Sequence, residues 1–170
     1  MTLLLSLDPG GSSGIALGTY SATEPYRRIA AFQPRGGVLG FTQWWKSECP
    51  DYHEIVCEKF TVRQALSHDA TQSLLIEGWL VGEEIMPPFP APGWQEPSSM
   101  YFMAETKDPL RIKRKKAQDW LKRYGLWATG APYGHVDGAD VNSATLHAIV
   151  ALREASHAPT LRAYFPPRAA

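Results

Sequence analysis

An apolar run, Leu3-Leu4-Leu5-Ser6-Leu7, stops abruptly at Asp8-Pro9-Gly10-Gly11 and resumes as Gly14-Ile15-Ala16-Leu17-Gly18-Thr19-Tyr20. A run of that length bounded by proline and glycine predicts a buried strand entering a tight turn, and the second run predicts its hairpin partner. Arg27 to Phe32 supplies a third strand. A chain that opens this way is committed to a sheet, and the residues beyond Phe32 decide which kind.

Gly36-Gly37 opens a segment with Val38, Phe41, Trp44 and Trp45 at near-helical spacing, closed by Pro50. His53 to Phe60 reads as a strand through Ile55, Val56 and Cys57, with Glu58 near its end. Thr71 to Val81 reads as a helix. Five prolines between Glu83 and Ser99 exclude a helix or central strand there and predict a surface loop over 83–99. Met100 to Ala104 is expected to return as the fifth strand. A basic helix comes next, with Ala117, Trp120 and Leu121 inward, and ends near Gly125. Asp137 to Glu154 is the strongest helix, its apolar face thin and built on Ala144, Ala148, Ile149 and Ala151. The tail from Ser156 to Ala170 holds three prolines and is expected to lie loosely on the surface. A hairpin succeeded by alternating helices and strands predicts an α/β domain over 1–155, with a mixed five-stranded sheet and helices on both faces.

The 170 residues, 44% hydrophobic, suit one such domain. No stretch approaches the roughly 20 apolar residues of a membrane helix, and the first residues read as a strand rather than a signal peptide, so a cytoplasmic protein is expected. Cys49 and Cys57 form no CxxC pattern, fit ordinary reduced thiols and give no ground for structural zinc.

Net charge is zero, with seventeen basic and seventeen acidic residues. The distribution is uneven. Residues 107–123 hold eight basic side chains (Lys107, Arg111, Lys113, Arg114, Lys115, Lys116, Lys122, Arg123) and two acids, leaving nine basic and fifteen acidic residues elsewhere. One positive segment on an acidic protein is a footprint for a phosphate backbone, and a solvated helix face is the plainer alternative.

Four acids stand where chemistry would place them: Asp8 ends the first strand, Glu58 the fourth, and Asp137 and Asp140 share one face of the last helix. Each has an ordinary explanation, Asp8 as a turn residue, Glu58 as an exposed strand end, and Asp137 or Asp140 as helix-starting acids. Gathered together they would repel one another and require a cation, and oxygen ligands select Mg²⁺ or Mn²⁺. Two such ions about 4 Å apart can activate water and stabilise the leaving oxygen at a phosphodiester.

The opening LLLSLDPGGSSGIAL, with Asp-Pro-Gly closing one strand and Gly-Ile-Ala starting the next, resembles the start of RuvC-type Holliday-junction resolvases. Glu58 in EIVCEKF is similar to that family's strand-four glutamate, and the stretch from Lys122 to Leu152 resembles its small phage-encoded branch. The resemblance spans most of the chain outside the proline-rich loop and the tail. It implies an RNase H-like fold and a Mg²⁺-dependent homodimer that nicks four-way or other branched DNA, within a bacterial host's cytoplasm. The family ends in two acids, or a His and an acid, three residues apart, the second usually followed by Ala. Here Ala144 comes after Ser143, so matching on the alanine pairs Asp140 with Ser143, while matching on the acids pairs Asp137 with Asp140. Asp140 serves both registers. By the same resemblance Lys107 is a candidate near the scissile phosphate.

Other residues carry less. His135 and His147 are candidates to assist, with a structural role as the alternative for His147. Trp44 and Trp45 fit the core or a dimer contact. Leu74, Leu75, Trp79 and Leu80 make the second helix a candidate dimer face. Two further functions compete: a non-catalytic DNA-junction binder, and a nucleotide-binding fragment of the actin and sugar-kinase type, whose Asp-x-Gly loop cradles phosphate. The latter needs a second domain for which 170 residues leave no room.

Overall fold

The computed structural model describes residues 1–60, 67–88, 91–129 and 139–166. Asp137 and His135 lie outside the described residues. The hairpin forms as its sequence predicts: β1 (Thr2–Asp8) pairs antiparallel with β2 (Gly14–Tyr20) along its whole length, from Thr2 opposite Tyr20 to Asp8 opposite Gly14. β3 (Arg27–Phe32) adds antiparallel to β2. On the other side of β1, β4 (Glu54–Glu58) runs parallel, Leu4 facing Glu54 and Leu7 facing Cys57. The result is a mixed five-stranded sheet in the order β3-β2-β1-β4-β5.

Strand alternation sorts side chains between two cores. Leu5 and Leu7, with Ile15, Leu17 and Cys57, pack under α1 (Gly37–Glu48) and α2 (His68–Gly82). Leu4 and Val56 pack on the opposite face, under α3 (Leu110–Arg123) and α4 (Ala139–Glu154). Leu5 and Leu7 have no exposed surface, and truncating either to Ala would cost about 2–5 kcal/mol. Trp44, 5% exposed, sits among the rings of Phe32, Phe41 and Trp45, so this tryptophan is core.

Three expectations are corrected. The fifth strand is not Met100–Ala104: Pro97–Tyr101 is a 3₁₀ turn, with Pro97 fixing the first-turn φ, and β5 is the pair Trp94–Gln95 inside the proline-rich stretch. Gly93, at φ +96°, turns the chain onto β4, where Cys57 N–H donates to Gly93 O at 2.8 Å and Lys59 N–H to Gln95 O at 2.7 Å. The stretch is therefore tied to the sheet, with Met86 and Gln95 buried.

The apolar face of α4 is not thin. Every residue from Ala144 to Val150 is buried, because the helix lies between the sheet and a second layer made by α3, the 3₁₀ turn and the C-terminal residues. Nor is the described part of the tail, residues 156–166, loose. Ala158–Tyr164 forms α5, its Tyr164 hydroxyl donates to Tyr26 O at 2.6 Å, and Tyr26 N–H donates to Thr160 at 3.0 Å. Phe165 packs on Phe102 and under the Arg153 guanidinium. The prolines do not oppose this helix: Pro159 stands in its first turn, where no N–H partner is lost, and Pro166 follows its end, while Tyr164 and Phe165 are half-buried.

Candidate active site

Parity puts Asp8 and Glu58 on the α4 side of the sheet, two residues beyond Ser6 and Val56 respectively. Parallel pairing of β1 and β4 then makes them neighbours at the carboxyl ends of adjacent strands, the usual place for a ligand crevice in an α/β sheet. Beside them β2 offers α4 little bulk, with Gly14 opposite Asp8 and Ala16 opposite Ser6. The helix comes so close that Ser6 Oγ donates to Ala144 O at 2.6 Å. This brings Asp140, in the first turn of α4, to the same corner.

The three carboxylates feel one another. The Asp8 carboxyl is held well above the usual carboxylate range, first by burial, then by the charge of Glu58 and a hydrogen bond shared with it, then by the charge of Asp140. The Ser143 hydroxyl works in the other direction by donating to Asp8. Asp140 Oδ2 accepts from Gln33 Nε2 at 2.8 Å, and the same amide donates to Ser12 Oγ at 3.0 Å. Asp140 and Ser143 both reach the site, and Asp137, on which the other register depends, lies outside the described residues.

Asp8, Glu58, Asp140 and Ser143 line a cleft of about 600 Å³. Its wall carries Arg111, Arg114 and Lys115 of α3, and Tyr101 and Trp127 also line it. Of the other expected DNA contacts, Lys113 lines an adjoining cleft that Glu58 and Arg114 also border. Lys107 is not brought to the acids: its side chain is 85% exposed and pairs with Glu105 at 3.2 Å. Lys116 donates to Asp108 at 2.7 Å, which holds that carboxyl below its usual range.

Sequence reading missed several participants. On the far side of Asp8 a smaller cavity, about 170 Å³, is shared with Asp69, Ser73 and Glu77 of α2. Asp69 accepts from Gly11 N–H at 2.5 Å, and Glu77 accepts from Phe60 N–H. Burial, then the charge of Glu58, pushes the Glu77 carboxyl up to about 7 against the opposing Phe60 N–H. Their signal was a polar residue at every fourth position of the helix. Gln33 and Gln95 gave no such signal.

The glycine-rich turn is not arranged as a phosphate cradle. Gly10 N–H donates to Ser13 Oγ, Gly11 N–H to Asp69 and Ser13 N–H to Pro34 O, so these three amides are spent within the protein. For a metal, no three His, Cys, Asp or Glu side chains among the described residues are already placed to hold one. The chemistry of the donors does fit a hard divalent cation: the converging groups offer oxygen only, and the repulsion that raises Asp8 is of the kind a cation relieves. Among the described residues no helix is long and apolar enough to cross a membrane. No protein-family model, curated protein or solved structure matches the chain.

Proposed function

We propose that the chain is a divalent-metal-dependent endonuclease for branched DNA, an RNase H-like enzyme of the kind its sequence resembles. One observation carries the reading: carboxylates from β1, β4 and α4 and the cations of α3 line a single cleft. Phosphate is the group that needs both, a cationic track for its backbone and a metal-binding acid set at the scissile bond.

Asp8, Glu58 and Asp140, with Asp137 as the fourth candidate, would hold Mg²⁺ or Mn²⁺, as two ions if the chemistry follows the two-metal pattern. Bound there, such ions lower the pKa of a water and stabilise the leaving oxygen. The protein's own residues do the rest. Arg111, Arg114 and Lys115 bind and orient the backbone, Gln33 holds Asp140 through its Oδ2, and Ser143 holds Asp8. The homodimer implied by the resemblance would set two such sites against opposing strands of a four-way junction. Of its candidate face, Leu80 is buried and Trp79 packs on Phe41 and Trp45, whereas Leu75 is 48% exposed.

The test is cleavage of a synthetic four-way junction and a linear duplex of the same sequence, with Mg²⁺ and with EDTA. Metal-dependent nicking that favours the junction, by a particle of twice the chain mass, is expected. Tight junction binding without nicking would instead make the chain a non-catalytic junction protein.

A further inference from the structure

We infer that His147 is a positioning residue for Glu58, and that Gln95 selects the tautomer in which it acts. The inference rests on the metal-nuclease reading for its consequence, but its geometry stands apart from it. His147 lies on α4 with no exposed surface, at a position where an aliphatic side chain would serve packing. A buried imidazole is costly unless both nitrogens are partnered, and both are. Nε2 is 2.9 Å from Glu58 Oε2 and Nδ1 is 3.0 Å from the Gln95 side-chain amide.

The amide has one orientation that satisfies both its ends. With its nitrogen toward the ring, it donates to His147 O and to His147 Nδ1, each at 3.0 Å, and its oxygen accepts from Ala151 N–H at 2.9 Å. The opposite orientation sets carbonyl oxygen against carbonyl oxygen and NH₂ against N–H. Nδ1 is therefore an acceptor, the ring proton sits on Nε2, and Nε2 donates to Glu58. The hydrogen bonds run from the edge strand inward, Gln95 donating to His147 and His147 to Glu58. Because Gln95 is the β5 partner of Glu58, the same backbone pairing that builds the sheet edge delivers the residue that orients the histidine.

One donor on Oε2 fixes the rotamer of Glu58 while leaving lone pairs for a cation, and Asp8 shares a hydrogen bond with the same carboxylate. Hydrogen-bond partners of metal-ligating side chains typically contribute 10–100-fold to metal affinity or activity. That places His147 at the site without any contact between it and DNA or the reacting atoms.

Three measurements on the full chain decide this. Long-range ¹H–¹⁵N NMR of the parent protein should show His147 protonated at Nε2 and bare at Nδ1; the reverse tautomer overturns the proposal. Calorimetric Mn²⁺ titration without DNA should show H147L weakened by about 10–100-fold, with a cooperative melt retained. Substantial recovery is expected in H147Q, which keeps an N–H donor at similar reach. Q95L, which leaves the histidine in place, should weaken Mn²⁺ binding in the same direction and guards against misfolding of H147L. Parent-like Mn²⁺ binding in H147L, or in Q95L, overturns the proposal. A parent protein that binds no Mn²⁺ refutes the nuclease reading instead, and the NMR tautomer then decides the geometry alone.

Discussion

A Cβ atom on Gly14 would stand 1.9 Å from the backbone carbonyl oxygen of Asp140. No side chain fits there, so the first turn of α4 rests directly on β2, and Asp140 is carried to Asp8 by a contact that has no side-chain atoms on the sheet side. Gly14→Ala should push the helix start off the strand. Overpacking of this kind costs about 1–3 kcal/mol, and cleavage should fall further than that loss of stability explains. Denaturant midpoints and nicking rates measured together check it; a variant as stable and as fast as the parent would show that α4 can shift without consequence.

Burial, then its acidic neighbours, holds the Asp8 carboxyl above its usual range, and its replacement should separate stability from activity. The folded state holds its pKa above the unfolded value, so the stability it confers is complete below the unfolded pKa and is lost as pH rises through the folded one. In EDTA, Asp8→Asn should therefore melt higher than the parent at pH 8, with the difference shrinking toward pH 5. Nicking should drop by orders of magnitude while binding to a four-way junction is kept. A lower melting temperature at pH 8, or undiminished nicking, would remove Asp8 from the proposed role.

Glu77 has a folded pKa of about 7 against an ordinary 4.5, which defines a window. Its contribution to stability is full below about pH 4.5 and is lost as pH climbs through 7. Glu77→Gln should flatten the fall in melting temperature across that interval. Superimposable pH profiles for parent and variant would mean that Glu77 is better solvated than its place beside Phe60 and Glu58 indicates.

The cations of residues 107–123 should not contribute equally to DNA affinity. Replacing Arg111 and Arg114 with Gln ought to weaken binding to every DNA alike and flatten the salt dependence, by about 0.9 units of slope for each phosphate no longer neutralised. Lys107→Gln and Lys116→Gln, whose parent side chains pair with Glu105 and Asp108 away from the acids, should leave the slope near that of the parent. Equal effects from both sets would put the DNA outside the cleft.

The local pattern of the sequence by itself determined the hairpin, α1, β4, α2 and the basic helix, and it placed Asp8 and Glu58 at the ends of their strands. Period-2 and period-3.6 alternation and the Pro-Gly punctuation are set by neighbours a few residues apart, so they are legible without a fold. Only the tertiary structure decided the rest. A two-residue strand in a proline-rich stretch exists because β4 offers it hydrogen bonds from Cys57 and Lys59, which no local rule contains. The tail became a helix because Tyr26 and Phe102 wait for Tyr164 and Phe165. His147 is, by sequence, a histidine on a partly apolar helix; β5 places Gln95 on one side of its ring and β4 places Glu58 on the other. Long-range pairing assigns a polar side chain its partner, and in the buried end of this cleft the partner decides what the side chain does.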